Sequence, residues 1–351
     1  MNKNNTCISV IIPSYKGSDT IYRALSSLEK QSFHDFEVIV VDDNGEGSSE
    51  QVNTKRIVTS FETKLDIKYI THKNNKNGAV ARNTGVKVAN GEYVAFLDDD
   101  DIYLEKRLEN AYHYLENKKY IDIYFCAVLI ERNGKLAGII TPQVFNDDIN
   151  RTLLFNTSVF GTGSNIFIRK ETYLSIGGFN ELYFRRQDNE FLLRALTKMN
   201  YAIDSSIDIV KCNIGNTNIP SYNKLLSSNE QFYKDFEGML KDLSDSEYRL
   251  LMGKERARIL FCCMMNESPS IVKVEKGKLE DIRPLNNKEI AQYVLSRIRI
   301  GGKGLLYYIQ PLMSKLKNYK QDKYLRKTLD EGILSQLSYY NIINSSFAFR
   351  F

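Results

Sequence analysis

A chain of 351 residues is long enough for one large domain, or for one domain with a substantial appendage. With 42% hydrophobic and 26% charged residues it excludes pervasive disorder, and no apolar run reaches the length that a spanning helix needs. The net charge of +5 is modest and concentrated near the C-terminus, which disfavours a general nucleic-acid binder.

Cys7, Cys126, Cys212, Cys262 and Cys263 form no CxxC or Cys/His spacing, and with only three histidines a zinc site is not expected. Met1–Thr6 is polar without an apolar h-region, so the sequence predicts no secretory signal and reduced thiols in a cytosolic protein.

Strands and helices alternate through the first hundred residues. Ile8–Ile12 is a short apolar run ended by Pro13, as a buried parallel strand would be. Ser18 or Asp19 can cap a helix carrying Ile21, Leu25 and Leu28 on one face. A second buried strand, Phe36–Val41, runs into Asp42-Asp43-Asn44-Gly45, and Ile67–Ile70 is strand-like. Ala79–Ala89 reads as a helix with small residues towards a sheet. Tyr93–Leu97 is the next buried strand, and it empties into Asp98-Asp99-Asp100-Asp101. The series predicts an α/β fold with a doubly wound, mainly parallel sheet.

The pattern then changes. Ile121–Ile130 and Leu136–Ile140 flank Asn133-Gly134 as a hairpin. Ser164–Ile168 reads as a strand and Asp188–Met199 as a helix. Beyond about Tyr222 the chain looks helical, so the boundary is set near Pro220-Ser221, giving expected domains 1–220 and 221–351.

Ligands in open α/β sheets sit beyond the carboxyl ends of the strands, where Pro13-Ser14-Tyr15, Asp42-Asp43 and Asp98–Asp101 all fall. Adjacent carboxylates repel and raise each other's pKa, and a divalent cation with hard oxygen ligands relieves this. Asp101 can also cap a helix from Leu104 to Glu116, and the aspartate run exceeds what a cap requires. Asp42-Asp43 alone can simply open a turn. Arg82 is a surface charge or, beside a metal-diphosphate, a clamp.

The blocks Val10–Tyr15, Glu37–Asp43, Ala81–Gly85 and Gly91–Asp101 occur in the order and approximate spacing of the family-2 glycosyltransferases of bacterial polysaccharide biosynthesis. The chain resembles that family over about residues 7–210. The resemblance implies a GT-A-like sheet with a small antiparallel acceptor-side portion and a helical C-terminal extension. It implies that Pro13, Tyr15 and Asp43 hold the base of a nucleotide-sugar, with Asp43 accepting from a uracil imide, and that Arg82 lies near the diphosphate. Asp98, Asp99 and Asp100 match the DxD element. Asp100 would be the main ligand of Mn²⁺ or Mg²⁺, with Asp98 also on the metal, and Asp98 and Asp99 near ribose and phosphate. Lys16 departs from the family, which often has Asn there.

Arg185-Arg186-Gln187-Asp188-Asn189-Glu190 resembles the family's segment bearing the catalytic base, matched by Asp188. On the residues alone Asp188 reads as a helix N-cap, which would depress its pKa. As the base it would take the proton of an acceptor hydroxyl in a single inverting displacement. The implied donor is a UDP-sugar and the implied acceptor a glycan or lipid-linked saccharide of a capsule or O-antigen type, with no nucleic-acid partner.

From Arg297 to Lys327 nine basic residues face one acid, Asp322, beside a helically spaced stripe of Leu305, Leu306, Ile309, Leu312, Met313 and Leu316 that Pro311 should kink or interrupt. The stripe is either core or a peripheral contact with the anionic inner face of the cytoplasmic membrane. Two other functions compete. A sugar-phosphate nucleotidyltransferase needs a Gly-rich basic loop after its first strand, and Ser14-Tyr15-Lys16-Gly17-Ser18 matches that poorly. A carbohydrate-binding protein with a retired site need not keep every acidic position filled, as this chain does.

Overall fold

The computed structural model describes residues 6–145, 148–156, 158–213, 221–300 and 303–340. Pro220 of the expected boundary and most of Met1–Thr6 lie outside these residues. The apolar runs form a parallel sheet: β1 (Ile8–Ser14), followed by α1 (Ile21–Glu29), pairs with β2 (Phe36–Asp42). After α2 (Ser49–Thr59), β3 (Ile67–Thr71) adds to β2. After α3 (Gly78–Val88), β4 (Tyr93–Phe96) adds to the other side of β1. β1 and β4 are buried on both faces, which explains why they lack polar alternation. α1 is capped by neither Ser18 nor Asp19. Thr20 precedes it without a side-chain cap bond, and Ser18 Oγ donates to Glu50 instead.

A two-residue strand β5 (Ile102–Tyr103) separates the aspartates from α4 (Arg107–Asn117). The helix therefore starts too late for Asp101 to cap it, and Lys106 occupies the N-cap without a side-chain bond. The hairpin forms as its sequence predicts, from β6 (Ile123–Arg132) and β7 (Lys135–Ile140). Asn133 and Gly134 take φ of 53° and 77°, the left-handed pair that suits strand twist in a two-residue turn.

α5 (Ile149–Phe155), β8 (Phe167–Arg169), α6 (Lys170–Ser175), α7 (Gln187–Leu196) and β9 (Tyr201–Asn213) complete this part. The start of the expected strand Ser164–Ile168 is instead a tight turn, Gly163–Asn165. The sheet order is β3-β2-β1-β4-β8-β6-β9-β5, with β7 beside β6. β8 runs antiparallel to β4 and β6, while β9 runs parallel to β6 and antiparallel to β5. Asp204, Ser205 and Ser206 break the apolar alternation of β9, which hides this strand in the sequence.

Two compact units divide the chain. One takes the described residues up to 213 together with 321–340, and the other takes 221–320. The second unit holds α8 (Tyr222–Asp235), α9 (Glu237–Lys241), α10 (Asp245–Asn266), α11 (Pro269–Glu280), α12 (Asn287–Arg297) and the small ladder of β10 (Arg299–Ile300) with β11 (Lys303–Gly304). Its core gathers Leu225, Ile259, Leu260, Cys263, Leu279 and Leu306. Then α13 (Leu305–Thr328) runs on through Pro311 rather than being interrupted, and α14 (Glu331–Tyr339) follows.

The C-terminal residues expected with the helical extension return to the first unit. Leu325, Leu337 and Tyr340 pack on Ile102, Leu136 and Val210, and Leu136 N–H donates to Asp322 Oδ1 at 2.9 Å. The apolar stripe splits: Leu306 is core, whereas Leu312 and Met313 are 59% and 53% exposed. The Leu316 side chain lies outside the described residues. Among the described residues no helix is long and apolar enough to cross a membrane.

Candidate active site

The carboxyl ends of β1, β2 and β4 converge on a cleft of about 410 Å³, whose wall includes Pro13, Tyr15, Asp43, Arg82, Asp98 and Asp100. Tyr15 is half exposed there, with Lys16 Nζ 5.3 Å from its ring centroid.

Asp43 is buried and organises the loop that follows β3. Its Oδ1 accepts from Lys76 N–H at 2.8 Å and lies 2.7 Å from His72 Nδ1. Its Oδ2 accepts from Asn75 Nδ2 at 2.8 Å and Asn77 N–H at 2.9 Å. Both oxygens already carry two contacts, so an imide donor would have to share one of them. Asn77 in turn caps α3 by accepting from Ala79 and Val80 N–H. His72, whose Nε2 lies 3.1 Å from Thr84 Oγ1, has no sequence signal pointing to this role.

Helix α3 lies close on β1, because a Cβ at Gly85 would stand 2.4 Å from Ile11 Cγ2. This close approach brings buried Arg82 to the strand ends. Its Nη2 donates to Asp98 Oδ1 at 2.5 Å and its Nη1 to Gln187 Oε1 at 3.1 Å. Phe179 lies under the guanidinium at 5.3 Å.

The aspartates diverge in role. Asp99 turns back against the β1–α1 loop, where a Cβ on Gly17 would fall 1.8 Å from its Oδ2. Asp101, expected as a helix cap, is buried and accepts from Thr162 Oγ1 and Ser164 Oγ at 2.7 Å each, and from Cys212 N–H at 3.1 Å. It anchors the Gly163–Asn165 turn to the cluster.

Asp98, Asp100 and Asp101 each offer a carboxylate oxygen, and these atoms lie within 4.8 Å of one another. The donor set is all oxygen, which suits Mn²⁺ or Mg²⁺. Burial first, then the neighbouring carboxylates, pushes Asp100 up to about 7 and Asp101 well above its ordinary value. Asp99 is pushed up to about 7 chiefly by burial, and its Oδ2 has no hydrogen-bond partner. A cation would relieve this stored repulsion, so the residues fit the expected metal.

Asp188 is not an N-cap. Arg186, in the left-handed region at φ 59°, precedes α7, and Asp188 lies in the first turn beside Gln187. Burial raises its pKa. Arg82 opposes that shift, Asp98 adds to it and Lys211 opposes it. The depression expected of a cap is therefore absent. Asp188 Oδ1 would lie 2.9 Å from a Cβ on Gly163, so the turn held by Asp101 also packs against Asp188.

Residues 9–176 match the description Glycosyl transferase family 2. This segment is a family-2 glycosyltransferase domain. The chain is similar to the amylovoran biosynthesis glycosyltransferase AmsB of Erwinia amylovora, 31% identical over 194 residues that cover 53% of this chain and 63% of the relative. It is also similar to the UDP-Glc:alpha-D-GlcNAc-diphosphoundecaprenol beta-1,3-glucosyltransferase WfgD of Escherichia coli, 31% identical over 174 residues, 47% of this chain and 66% of that one. The chain thus spans less than two thirds of the length of these relatives. The solved structure of S. aureus TarS 1–349 in complex with UDP-GlcNAc aligns with a TM-score of 0.51 at 20% identity, over 85% of this chain and 95% of that one. That likeness shows the shared GT-A fold.

The matched family-2 segment carries Pro13, Tyr15, Asp43, Arg82 and Asp98–Asp101. Asp188 lies beyond its end and reaches the site through α7. So does Lys211 on β9, which sequence reasoning missed and whose Nζ donates to Gly161 O at 2.8 Å.

Proposed function

We propose that the chain is an inverting glycosyltransferase that moves a sugar from a UDP-sugar to a hydroxyl of a lipid-linked saccharide or another glycan. The observation that carries this reading is Asp188, a carboxylate made more basic by burial and set beside the Arg82–Asp98 pair. The names of WfgD and of the TarS complex support a UDP-sugar, and that of WfgD supports a diphospholipid-linked acceptor.

On this reading Pro13 and Tyr15 meet the base, while Asp43 orders the loop against it. The acceptor oxygen attacks the anomeric carbon as the bond from that carbon to the diphosphate oxygen breaks. The acceptor proton passes to Asp188, and UDP leaves with the bonding pair. With one base and no second carboxylate assigned as nucleophile, the displacement is single and the anomeric centre inverts. Arg82 supplies fixed positive charge where the leaving group develops its own. A divalent cation held by Asp98, Asp100 and Asp101 would neutralise the diphosphate as a Lewis acid.

Peripheral membrane contact is part of the same reading. Leu312 and Met313 are exposed beside Lys315, Lys317 and Lys320, an apolar and basic pairing suited to an anionic interface.

The test is a panel of nucleotide-sugars assayed for metal-dependent transfer, with Asp188→Asn beside wild type. Asp188→Asn should keep UDP affinity and lose about 10²–10⁴-fold in kcat, the usual worth of a positioned base. Wild-type turnover by this variant refutes the assignment.

A further inference from the structure

We propose that Lys211 is a resident cation of the acidic site, which shares the neutralisation of Asp100 and Asp101 with the divalent ion and so sets how tightly that ion is held. The inference rests on the proposed glycosyltransferase reading for the use of the ion, and it concerns a residue outside the matched family segment.

Three observations tie Lys211 to the cluster. β9 pairs in parallel with β6, with Lys211 opposite Ile130, and antiparallel with β5, where Val210 lies opposite Ile102, the residue after Asp101. Its ammonium donates to Gly161 O at 2.8 Å, at the start of the turn whose Thr162 and Ser164 hydroxyls both bind Asp101. The next residue, Cys212, gives its N–H to Asp101 Oδ1 at 3.1 Å. The charge of Lys211 thus lies next to groups that hold Asp101 from both sides.

The electrostatics agree with this placement. The Lys211 ammonium sits on the carbonyl one residue before Thr162, whose hydroxyl binds Asp101 Oδ2, so its positive charge attracts that carboxylate at short range. Among the described residues Lys211 forms no direct ion pair with a carboxylate, so its ammonium leaves the oxygens of Asp98, Asp100 and Asp101 that could hold a metal free of a bond to it. A fixed positive charge beside that position repels an incoming divalent ion and at the same time reduces the repulsion among the carboxylates when the ion is away. The simpler role for Lys211 is to pin the Gly161 carbonyl and nothing more.

Calorimetric titration of the full chain with Mn²⁺ separates the two roles. Lys211→Gln keeps a donor for Gly161 and removes the charge, Lys211→Met removes both, and Lys211→Arg keeps the charge. Gln and Met should each bind Mn²⁺ more tightly, by about tenfold, and Arg should stay within about twofold of wild type. Equal affinities in all four proteins overturn the proposal, as does an absence of Mn²⁺ binding in all of them. It is also overturned if both uncharged variants fail to fold while Arg folds, since the role is then structural. Wild type that binds Mn²⁺ yet transfers no sugar from any nucleotide-sugar refutes the glycosyltransferase reading and leaves the Lys211 result standing.

Discussion

Arg82 reaches Asp98 with Nη2 at 2.5 Å from Oδ1, while its Nη1 bonds Gln187 at 3.1 Å. One buried side chain on α3 therefore joins the acidic run after β4 to the first turn of α7, next to Asp188. Burial opposes the charge of Arg82, and Asp98 and Asp188 more than offset that.

Lysine cannot reproduce this fork, because a single ammonium lacks the planar geometry that serves both partners. Arg82→Lys should raise the donor KM by about tenfold, the worth of one charge-assisted hydrogen bond, while the fold survives. Titration with UDP and a thermal melt check both halves. Unchanged UDP affinity would remove Arg82 from the donor site.

Gly17 tests the position of Asp99. A Cβ there would stand 1.8 Å from Asp99 Oδ2 and 2.4 Å from its Cγ, so that carboxylate must move. The φ of Gly17 lies outside the strained left-handed region, so Gly17→Ala leaves the backbone unstrained. It should weaken nucleotide binding by roughly tenfold with a small change in melting temperature, since a shift of a site group by about an ångström is costly. Calorimetry with UDP in Mn²⁺ reads the loss.

The aspartates make the metal-free protein pH-sensitive. Asp99 and Asp100, ordinarily near 3.8, are pushed up to about 7, so between these values the folded chain binds more protons than the unfolded one. Their contribution to stability is greatest at low pH, falls as pH climbs through that window, and stays low above it. Asp100→Asn should therefore raise the melting temperature of the metal-free protein at about pH 8 and change it little at about pH 4. Mn²⁺ should stabilise wild type at about pH 8 far more than at about pH 5, where protons compete for the same oxygens. Equal stabilisation at both pH values would count against a carboxylate metal site.

Exposed Leu312 and Met313 on α13 should contribute to membrane contact together with the nearby lysines. Replacing both with Ser, or Lys315, Lys317 and Lys320 with Glu, should reduce sedimentation with phosphatidylserine-containing vesicles. Each lysine is worth about 1 kcal/mol near an anionic surface, so added salt should release wild type as well. Because neither apolar side chain is buried, the Ser variant should melt as wild type does. Vesicle binding unaffected by either change would end this reading.

Local pattern was enough for the parallel half of the sheet, for the Asn133-Gly134 hairpin and for the acidic run after β4. Buried strands announce themselves as apolar runs, left-handed turns as Asn-Gly, and strand ends as clustered carboxylates. The roles inside the site came from tertiary structure. Asp101 looked like a cap for the next helix until β5 intervened and residues 162, 164 and 212 claimed its oxygens. Asp188 looked like a cap until Arg186 opened α7 ahead of it and burial raised its pKa. Lys211, hidden in a strand broken by polar residues, and the return of residues 321–340 to the first unit left no mark in the sequence. Side-chain patterns report on neighbours within a turn or a strand, whereas charge, basicity and metal affinity are set by groups that approach across the chain only after the core has packed.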